Sequence, residues 1–434
     1  MRQGGRSTVL PHPATLQVDA KAVRTPLRRR ADQDPGSPAR NVQVISLTAA
    51  FTSTWFMTWS PVLPLLLGSR GASRAAIAAT FALLNVGTAF AQYFGGRLTD
   101  RVGMRRVIGW TGVALGCTWL GMALMSGSWL ALAGLYVLGN TLFGLQSTAF
   151  VTIVSESVAP DRRTRAFSYY QFWSAVSMVA GPLAGGLLLL PRLSPPFYLG
   201  ATGLAYLGIG VTRLLALREP RALTKAPRPA LTLRRVAEAA AGSAERRELL
   251  VLTVGVTLAF ALTVNGPFMP LVAHAVDGLR TSSVDILFGI GPLGAIAVSA
   301  VAGRLRRHGA ALGAGLALLA AAIAVMDLPM PVAPLVAVFL LGFAGYHVAT
   351  VAYLARRVHL AGAESIGEVL GASSAVAGIA AFLGLLVAGV LGSRGGMLSG
   401  AAVALLTAAW QWGGGRPRFT GSLQGRLRLR RRPS

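Results

Sequence analysis

Twelve long apolar runs divide this chain of 434 residues, and they confine its charged residues to the segments between them. Most runs reach the roughly 20 residues that an α-helix needs to cross the hydrocarbon core of a membrane. Only 13% of the residues are charged, against about a quarter in a soluble domain. We therefore predict an all-α membrane protein with twelve transmembrane helices. The runs lie at about 44–67, 76–96, 107–125, 129–154, 166–190, 196–217, 249–276, 282–303, 309–326, 332–355, 366–392 and 395–412.

The net charge of +26 is divided unevenly between alternate loops. If the amino terminus lies inside, 36 of the 41 Lys and Arg residues fall on the same side, including nine within 213–247. This positive-inside bias predicts that both termini are cytoplasmic in an inner (plasma) membrane. A charge segregated in this way argues against a nucleic-acid partner, and we expect the basic tails to lie near anionic membrane lipids. The five residues on the opposite side are Arg70, Arg74, Arg192, Arg280 and Arg394.

A hydrophilic segment after the sixth run divides the chain six plus six, and the polar N-tail shows no signal-peptide core. The single cysteine, Cys117, excludes an intrachain disulfide. The expected organisation is a disordered basic N-tail at 1–43, a six-helix bundle at 44–217, a cytoplasmic linker at 218–248, a second six-helix bundle at 249–412 and a basic cytoplasmic C-tail at 413–434.

The two halves share two motifs at nearly the same offset. WSPVLPLLL ends the first run and VNGPFMPLVA ends the seventh, so that Pro61 and Pro64 correspond to Pro267 and Pro270, 206 residues later. A Gly-Arg-Leu triplet at 96–98 returns 207 residues later, at 303–305. We interpret the chain as a duplicated six-helix unit, which predicts two pseudo-symmetric bundles.

The segment GGRLTDRVGMRRV, residues 95–107, resembles the motif between the second and third helices of the major facilitator superfamily. The resemblance implies that Asp100 bridges to the other half when the cytoplasmic side is closed. A suitable partner is the start of the eleventh run, where Ser365 and Glu368 have the spacing of a capping box. The alternative is that the arginines only set the topology. The residues that fit the motif are Gly96, Leu98, Asp100, Arg101, Gly103, Arg105 and Arg106.

The second copy of this motif carries Arg307 where Asp100 stands in the first. We therefore predict a one-sided gate contact, from the first half onto the eleventh helix.

GPLAGG at 181–186 resembles a fifth-helix motif of the antiporter branches of the same family, through Gly181, Pro182, Gly185 and Gly186. Side chains this small permit close helix packing between the two halves. Generic packing of small residues is an equally good explanation of the motif.

Polar residues within membrane spans are costly and are default candidates for function. The family layout places helices one, four, seven and ten around the cavity, which makes Trp55, Asn140, Asn265 and His347 the substrate-cavity candidates. For each of them a structural hydrogen bond between helices is the alternative. His347 is also a coupling candidate, as the only titratable group near mid-depth. Asp285, near the outer end of the eighth run, is either an interfacial cap or a second coupling candidate.

The sequence lacks the signatures of an enzyme. It contains no His-Glu-x-x-His, no Gly-x-Ser-x-Gly and no phosphate-binding loop with a lysine. Its five histidines are scattered, so we expect no cofactor and no metal. The first run has no charge, and Asn140 stands near the place where many proton-coupled drug exporters carry an arginine. These departures favour a neutral or weakly charged substrate.

The resemblance implies a monomeric secondary transporter that moves a small organic solute by alternating access, with a co- or counter-transported proton as one option. Export of a drug or metabolite is favoured by GPLAGG. The alternatives are uptake of a nutrient such as a sugar or amino acid, and a membrane receptor or scaffold that has lost transport.

Overall fold

The computed structural model describes residues 37–158, 163–219, 244–302, 308–361 and 366–413. Most of the predicted tails and linker, the second Gly-Arg-Leu triplet with Arg307, and Ser365 lie outside these residues. Within the described ranges the chain is almost entirely helical.

The first half contains helices α1 to α6, and α1 continues beyond a break as a 3₁₀ turn and a short second helical part. The bounds are α1 Ser37–Met57, the 3₁₀ turn Ser60–Val62, the second part of α1 Leu63–Ser69, α2 Arg74–Val102, α3 Met104–Leu124, α4 Trp129–Glu156, α5 Arg163–Ala184 followed by a π-helical segment Gly185–Leu189, and α6 Pro195–Ala216.

The second half contains helices α7 to α12. The last two form one continuous helical stretch, which Gly392 divides with a φ of 79° and a ψ of 175°. The bounds are α7 Ala244–Leu262, the second part of α7 Phe268–Asp277, α8 Thr281–Ala302, α9 His308–Met326, α10 Val332–Ala361, and α11 with α12 Ile366–Gly413.

The twelve-helix prediction is confirmed. Nine helices in the described ranges are long and apolar enough to cross a membrane, and one of these, Ala375–Gly413, contains both α11 and α12. The remaining two, α1 and α7, are each interrupted by a break that divides the apolar run between two helical parts. The shortest predicted run, 309–326, is a span as well, His308–Met326.

The two breaks share a local cause, because each contains a proline that has no N–H to donate. In α1 the N–H of Thr58 bonds to Trp55 O at 3.4 Å and that of Val62 to Trp59 O at 3.1 Å, on either side of Pro61. In α7 the N–H of Asn265 reaches back to Phe260 O at 3.0 Å, just before Pro267. The proline motif that is repeated in the sequence of the two halves therefore produces a repeated break in the first helix of each half.

The first helix begins at Ser37, seven residues before the predicted boundary. Its polar start is held by Asn41, whose Nδ2 donates to Ser157 Oγ at 3.0 Å and to Arg218 O at 2.9 Å. The boundary predicted from the apolar run misses this start, because the residues that extend the helix before the run are largely polar. The seventh helix likewise starts at Ala244, ahead of the predicted residue 249.

Successive helices alternate in direction, so the bundle has two ends. The end that carries Gly103, Glu219 and Ala244 is called the linker side below. The end that carries Arg70, Arg192 and Arg280 is called the far side.

Candidate functional site

Two helix pairs make most of the contacts between the halves, α5 against α8 and α2 against α11. In the second pair, Gly378 of α11 lies against α2, and a Cβ built on it would be 2.8 Å from Ala89 Cβ. Nearer the far side, a Cβ on Gly389 would be 2.5 Å from Ala78 Cβ. The named contacts of this pair are therefore between small residues, and we call both pairs together the seam.

The predicted fifth-helix motif lies at the junction of α1, α5 and α8. A Cβ on Gly181 would be 2.7 Å from Thr54 O in α1, and one on Gly186 would be 2.5 Å from Ser282 O in α8. A Cβ on Gly185, between them, would overlap the Thr58 carbonyl oxygen and a carboxylate oxygen of Asp285. These glycines are necessary for the observed approach of the three helices, because any side chain would separate the backbones.

The π-helical segment starts within this motif. Pro182 lies inside α5 and has no N–H to donate. The carbonyl oxygen of Gly185, three residues after this proline, accepts from the N–H of Leu190 at 2.8 Å, a π-type bond that spans five residues. Single π turns inside helices occur often at functional sites.

The motif between α2 and α3 forms a tight turn at the linker side. Gly103 separates the two helices with a φ of 96°, a conformation that side-chain-bearing residues rarely adopt. Leu98, Arg101 and Arg106 are exposed, and Arg105 is half-buried. The side chains of Asp100 and Glu368 and the surroundings of Gly96 lie outside the described part of the chain, so the predicted gate contact stays a prediction.

Glu219 completes this turn, and the sequence analysis did not single it out. Its carboxylate accepts hydrogen bonds from the N–H groups of Met104 at 2.6 Å and Arg105 at 3.0 Å, at the first turn of α3. A carboxylate at a helix amino terminus stabilises it by roughly 0.3–1 kcal/mol at an exposed position. The sequence feature that could have identified Glu219 is its position as a lone acidic residue between Arg218 and Arg221, directly after the sixth run.

The four cavity candidates fall into two groups. In the second half, Asn265 is exposed and its Nδ2 donates to the hydroxyl of Tyr346 in α10 at 3.4 Å, next to half-buried His347. In the first half, Trp55 and Asn140 are half-buried, and Asn140 Nδ2 donates within its own helix to Tyr136 O at 2.9 Å. The structure thus joins Asn265 to Tyr346, the chain neighbour of His347, whereas among the described residues no hydrogen bond joins Trp55 to Asn140.

The interpretation of Asp285 as an interfacial cap is wrong. Asp285 is 0% exposed, and neither of its carboxylate oxygens has a hydrogen-bond donor among the described residues. It lies one turn inside α8, where the backbone N–H groups are used within the helix, and it points at α5 and at the break in α1. Its depth in the apolar run is visible in the sequence, but the helices that cover it are not.

Arg213 also requires a correction, because its charge was counted with the charged segment 213–247. It is 0% exposed within the first bundle, where its Nε donates to Thr48 Oγ1 at 3.0 Å and its Nη2 to Thr52 Oγ1 at 3.5 Å. Its guanidinium carbon lies 4.8 Å from the centre of the Phe150 ring. Its Nη1 has no partner, and no carboxylate pairs with it in the part of the chain described here. The signal for its burial was its position inside an apolar run.

Replacing Arg213 by methionine should leave the melting temperature of the purified protein unchanged or raise it by a few degrees. Methionine retains much of the apolar stem and removes a buried charge, and such replacements of buried ions are often neutral or stabilising. Arg213→Ala should lower the melting temperature, because it leaves a cavity. A methionine variant as unstable as the alanine variant would show that the charge itself stabilises the bundle.

Two bundles of six helices, each with a broken first helix, meeting along small residues with polar groups between them, define a membrane transporter of the two-repeat type. The model of the Major Facilitator Superfamily matches residues 45–385, and the chain belongs to this family. The resemblance stated from the loop motif is therefore confirmed. The chain is a multi-pass membrane transporter and not an enzyme.

Several solved structures share this fold at low sequence identity. The human organic anion transporter MFSD10 (TETRAN) matches with 20% identity and a TM-score of 0.62, over 86% of this chain and 99% of its own. A mutant form of the nucleoside transporter NupG matches with 13% identity and a TM-score of 0.69, over 86% and 98%. The POT family transporter PepTSo matches with 14% identity and a TM-score of 0.68, over 86% and 97%. No curated protein sequence matches the chain.

Proposed function

We propose that this transporter exports a small, neutral or weakly charged organic solute across the inner (plasma) membrane by alternating access. The observation that carries the proposal is the seam, where glycines bring α5 close to α8, and glycine–alanine contacts bring α2 close to α11. Contacts between small residues can separate without breaking a polar network, so the halves can rock about a central site. The resemblance of GPLAGG to the antiporter motif supports export over nutrient uptake.

The central site in this proposal is lined by Trp55 and Asn140 from the first half, and by Asn265 and His347 from the second. The Asn265–Tyr346 hydrogen bond, which joins an amide to a phenol one residue before His347 in the chain, supports this arrangement. Amide, phenol and indole groups can bind polar atoms and apolar rings of an uncharged solute. The organic anion and nucleoside transporters of similar fold differ in their substrates, so the fold does not narrow the choice.

The proposed topology places both termini and the linker in the cytoplasm, and the far side outside the cell. The seam contacts at Gly185, Gly186 and Gly389 then form the outer barrier. The inner barrier in this proposal is Asp100 against the start of α11, where the helix carries roughly half a positive charge. We propose that the protein works as a monomer.

The proposal is tested with purified protein in sealed liposomes. Candidate solutes are first selected by thermal shift, because a ligand that binds only the folded state raises the melting temperature. Uptake of the selected solute into inside-out vesicles, and its loss when the proton gradient is collapsed, would support proton-driven export. Uptake only into right-side-out vesicles would favour nutrient import, and solute binding without transport in either orientation would favour a receptor.

The coupling role of His347 has its own prediction. An unperturbed imidazole titrates near pH 6.5, so transport that uses this proton should depend on pH around and below neutrality. His347→Gln keeps the position polar and should abolish that dependence while it retains downhill exchange. Tyr346→Phe is the matched control, since it alters the neighbouring residue and should weaken substrate binding without changing the pH profile. An unaltered pH profile in the glutamine variant, with transport against a gradient, would make His347 a structural residue.

A further inference from the structure

Asp285 is a buried acid in the seam with no assigned partner. It is 0% exposed, and it has no hydrogen-bond donor and no ion pair among the described residues. A buried carboxylate without donors is very costly in its charged form, and in practice such a group is neutralised, paired or bound to a cation.

The carbonyl of Thr58 faces the same space because of the break in α1. In a continuous helix its oxygen would accept from an N–H three or four residues later. Pro61 has no N–H, and the N–H of Val62 bonds to Trp59 O instead. The break is fixed from α6, where Thr202 Oγ1 lies 3.2 Å from Trp55 O and accepts from Trp59 Nε1 at 3.1 Å.

Gly185 shows that these two oxygens are neighbours. A Cβ built on Gly185 would overlap both Thr58 O and Asp285 Oδ2, so both oxygens border one small space. Two hydrogen-bond acceptors attract each other only when a proton, a cation or a donor such as water lies between them, and an atom at the Cβ position of Gly185 would be too close to both oxygens for a water to fit there. Metal cations such as Ca²⁺ and Mg²⁺ take six or more oxygen ligands, and no cluster of three metal-binding side chains occurs in the described part of the chain. A proton requires only one O–H···O bond.

We propose that Asp285 binds a proton that it donates to the carbonyl oxygen of Thr58, and that this bond holds the far side of the seam closed. This inference rests on the proposed alternating access. When the seam opens, Asp285 is exposed to the far-side solution and loses the proton there. Acidification therefore favours the closed far side, and rising pH favours the open far side.

The other half of the seam shows that a carboxylate is not needed for packing. By the repeat offset of 206 residues, Asp285 corresponds to Ala79 in α2. There the neighbouring Ala78 lies against Gly389 of α11, an apolar contact. Position 285 of the second half thus carries a carboxylic acid, whereas the equivalent position 79 of the first half carries a methyl group. Close packing of the helices therefore does not require the acid, and we infer that it has another role.

Few other titratable groups surround this position. Tyr198 of α6 interacts electrostatically with Asp285 and with Arg70. The π-helical segment Gly185–Leu189 and the 3₁₀ turn Ser60–Val62 have no titratable side chain. His274, on the second part of α7, is engaged with Leu279 O at 2.6 Å. The proton therefore belongs to Asp285 rather than to a shared cluster.

The test measures the width of the far side directly. Spin labels are attached at Leu193→Cys and Val332→Cys in a Cys117→Ala background; both positions are exposed, at 40% and 60%, and lie on opposite halves. Between pH 5 and 8 the ratio of short to long label distances should fall at least about tenfold. Asp285→Asn should keep the short distance at every pH, because its amide N–H₂ can donate to Thr58 O permanently. Asp285→Ala should also lose the pH dependence.

Asp327→Asn is the matched control, because Asp327 is a far-side carboxylate that is paired with Arg394 at 3.4 Å. This variant should retain the wild-type pH response. A pH response that survives in Asp285→Asn, or is absent from the wild type, would overturn the proposal. Closure that depends on sodium at constant pH would also overturn it, in favour of a metal cation. The label-distance measurement needs no substrate. The proposal of proton-dependent closure can therefore fail while transport in liposomes succeeds, and transport can fail while the pH-dependent closure is observed.

Discussion

Gly185→Ala is expected to reduce transport at least about tenfold while the protein still folds. The alanine methyl group would overlap the Thr58 carbonyl oxygen and the Asp285 carboxylate, and a backbone atom cannot move aside as a flexible side chain can. Overfilling a packed contact typically costs about 1–3 kcal/mol. The overlap with Asp285, which lies in the other half, exists only when the far side is closed, so it shifts the equilibrium towards the open far side, by about tenfold for each 1.4 kcal/mol. The overlap with Thr58, which lies in the same half, is present in both states and lowers the stability of the bundle.

The measurement is transport in liposomes combined with the far-side label distance. Gly134→Ala is the matched control, since Gly134 lies in a membrane helix and a Cβ there meets nothing within 4 Å. The control should transport like the wild type. If Gly185→Ala transports normally with an unchanged label distance, then the seam does not close at this glycine during the cycle.

Gly203→Leu should produce the second large effect, which is on folding. Gly203 of α6 packs against α3, and a Cβ there would be 2.8 Å from the backbone N of Leu120. A leucine side chain has no room at this contact, so α6 must separate from α3 along its length. We expect a loss of about 3 kcal/mol or more, seen as a large fall in melting temperature or as loss of folded protein on expression.

The control for this prediction lies on the same helix. Gly208 is exposed, and a Cβ there meets nothing within 4 Å. Gly208→Leu should leave the melting temperature nearly unchanged, because the added side chain extends towards lipid. Equal stability of the two leucine variants would mean that α3 and α6 are not packed as tightly as the structure shows.

Gly185 and Gly203 illustrate how packing limits motion in this transporter. Within the first half, Gly112 and Gly116 of α3 approach Gly210 and Gly203 of α6 at backbone contact distance, which makes the bundle rigid. Between the halves the contacts are fewer and lie mainly along two helix pairs. A rigid bundle on each side of a narrow seam is the arrangement in which a small change at the seam is transmitted to the whole molecule.

Much of the fold followed from the sequence, because the membrane imposes strong local rules. A helix must span the hydrocarbon core, so each apolar run of sufficient length predicts one transmembrane helix. The runs together predict the number of helices and their order along the chain. The prolines at 61 and 267 predicted a repeated motif, and the structure shows a repeated break. The loop motif around Gly103 identified the family, since its residues are contiguous and need no tertiary contact to be recognised.

The roles of three charged residues required the tertiary structure. Arg213 was predicted to belong to the charged segment 213–247, but it is buried between Thr48, Thr52 and Phe150. Asp285 was considered as an interfacial cap, but it is buried beside Thr58 and Gly185. Glu219 caps a helix that begins 115 residues earlier in the chain. The environment of a charge is set by atoms from distant segments, and the cost of burying it depends on whether those atoms donate, accept or exclude water. Local pattern therefore determined where the helices are, and only packing decided what each charged side chain meets.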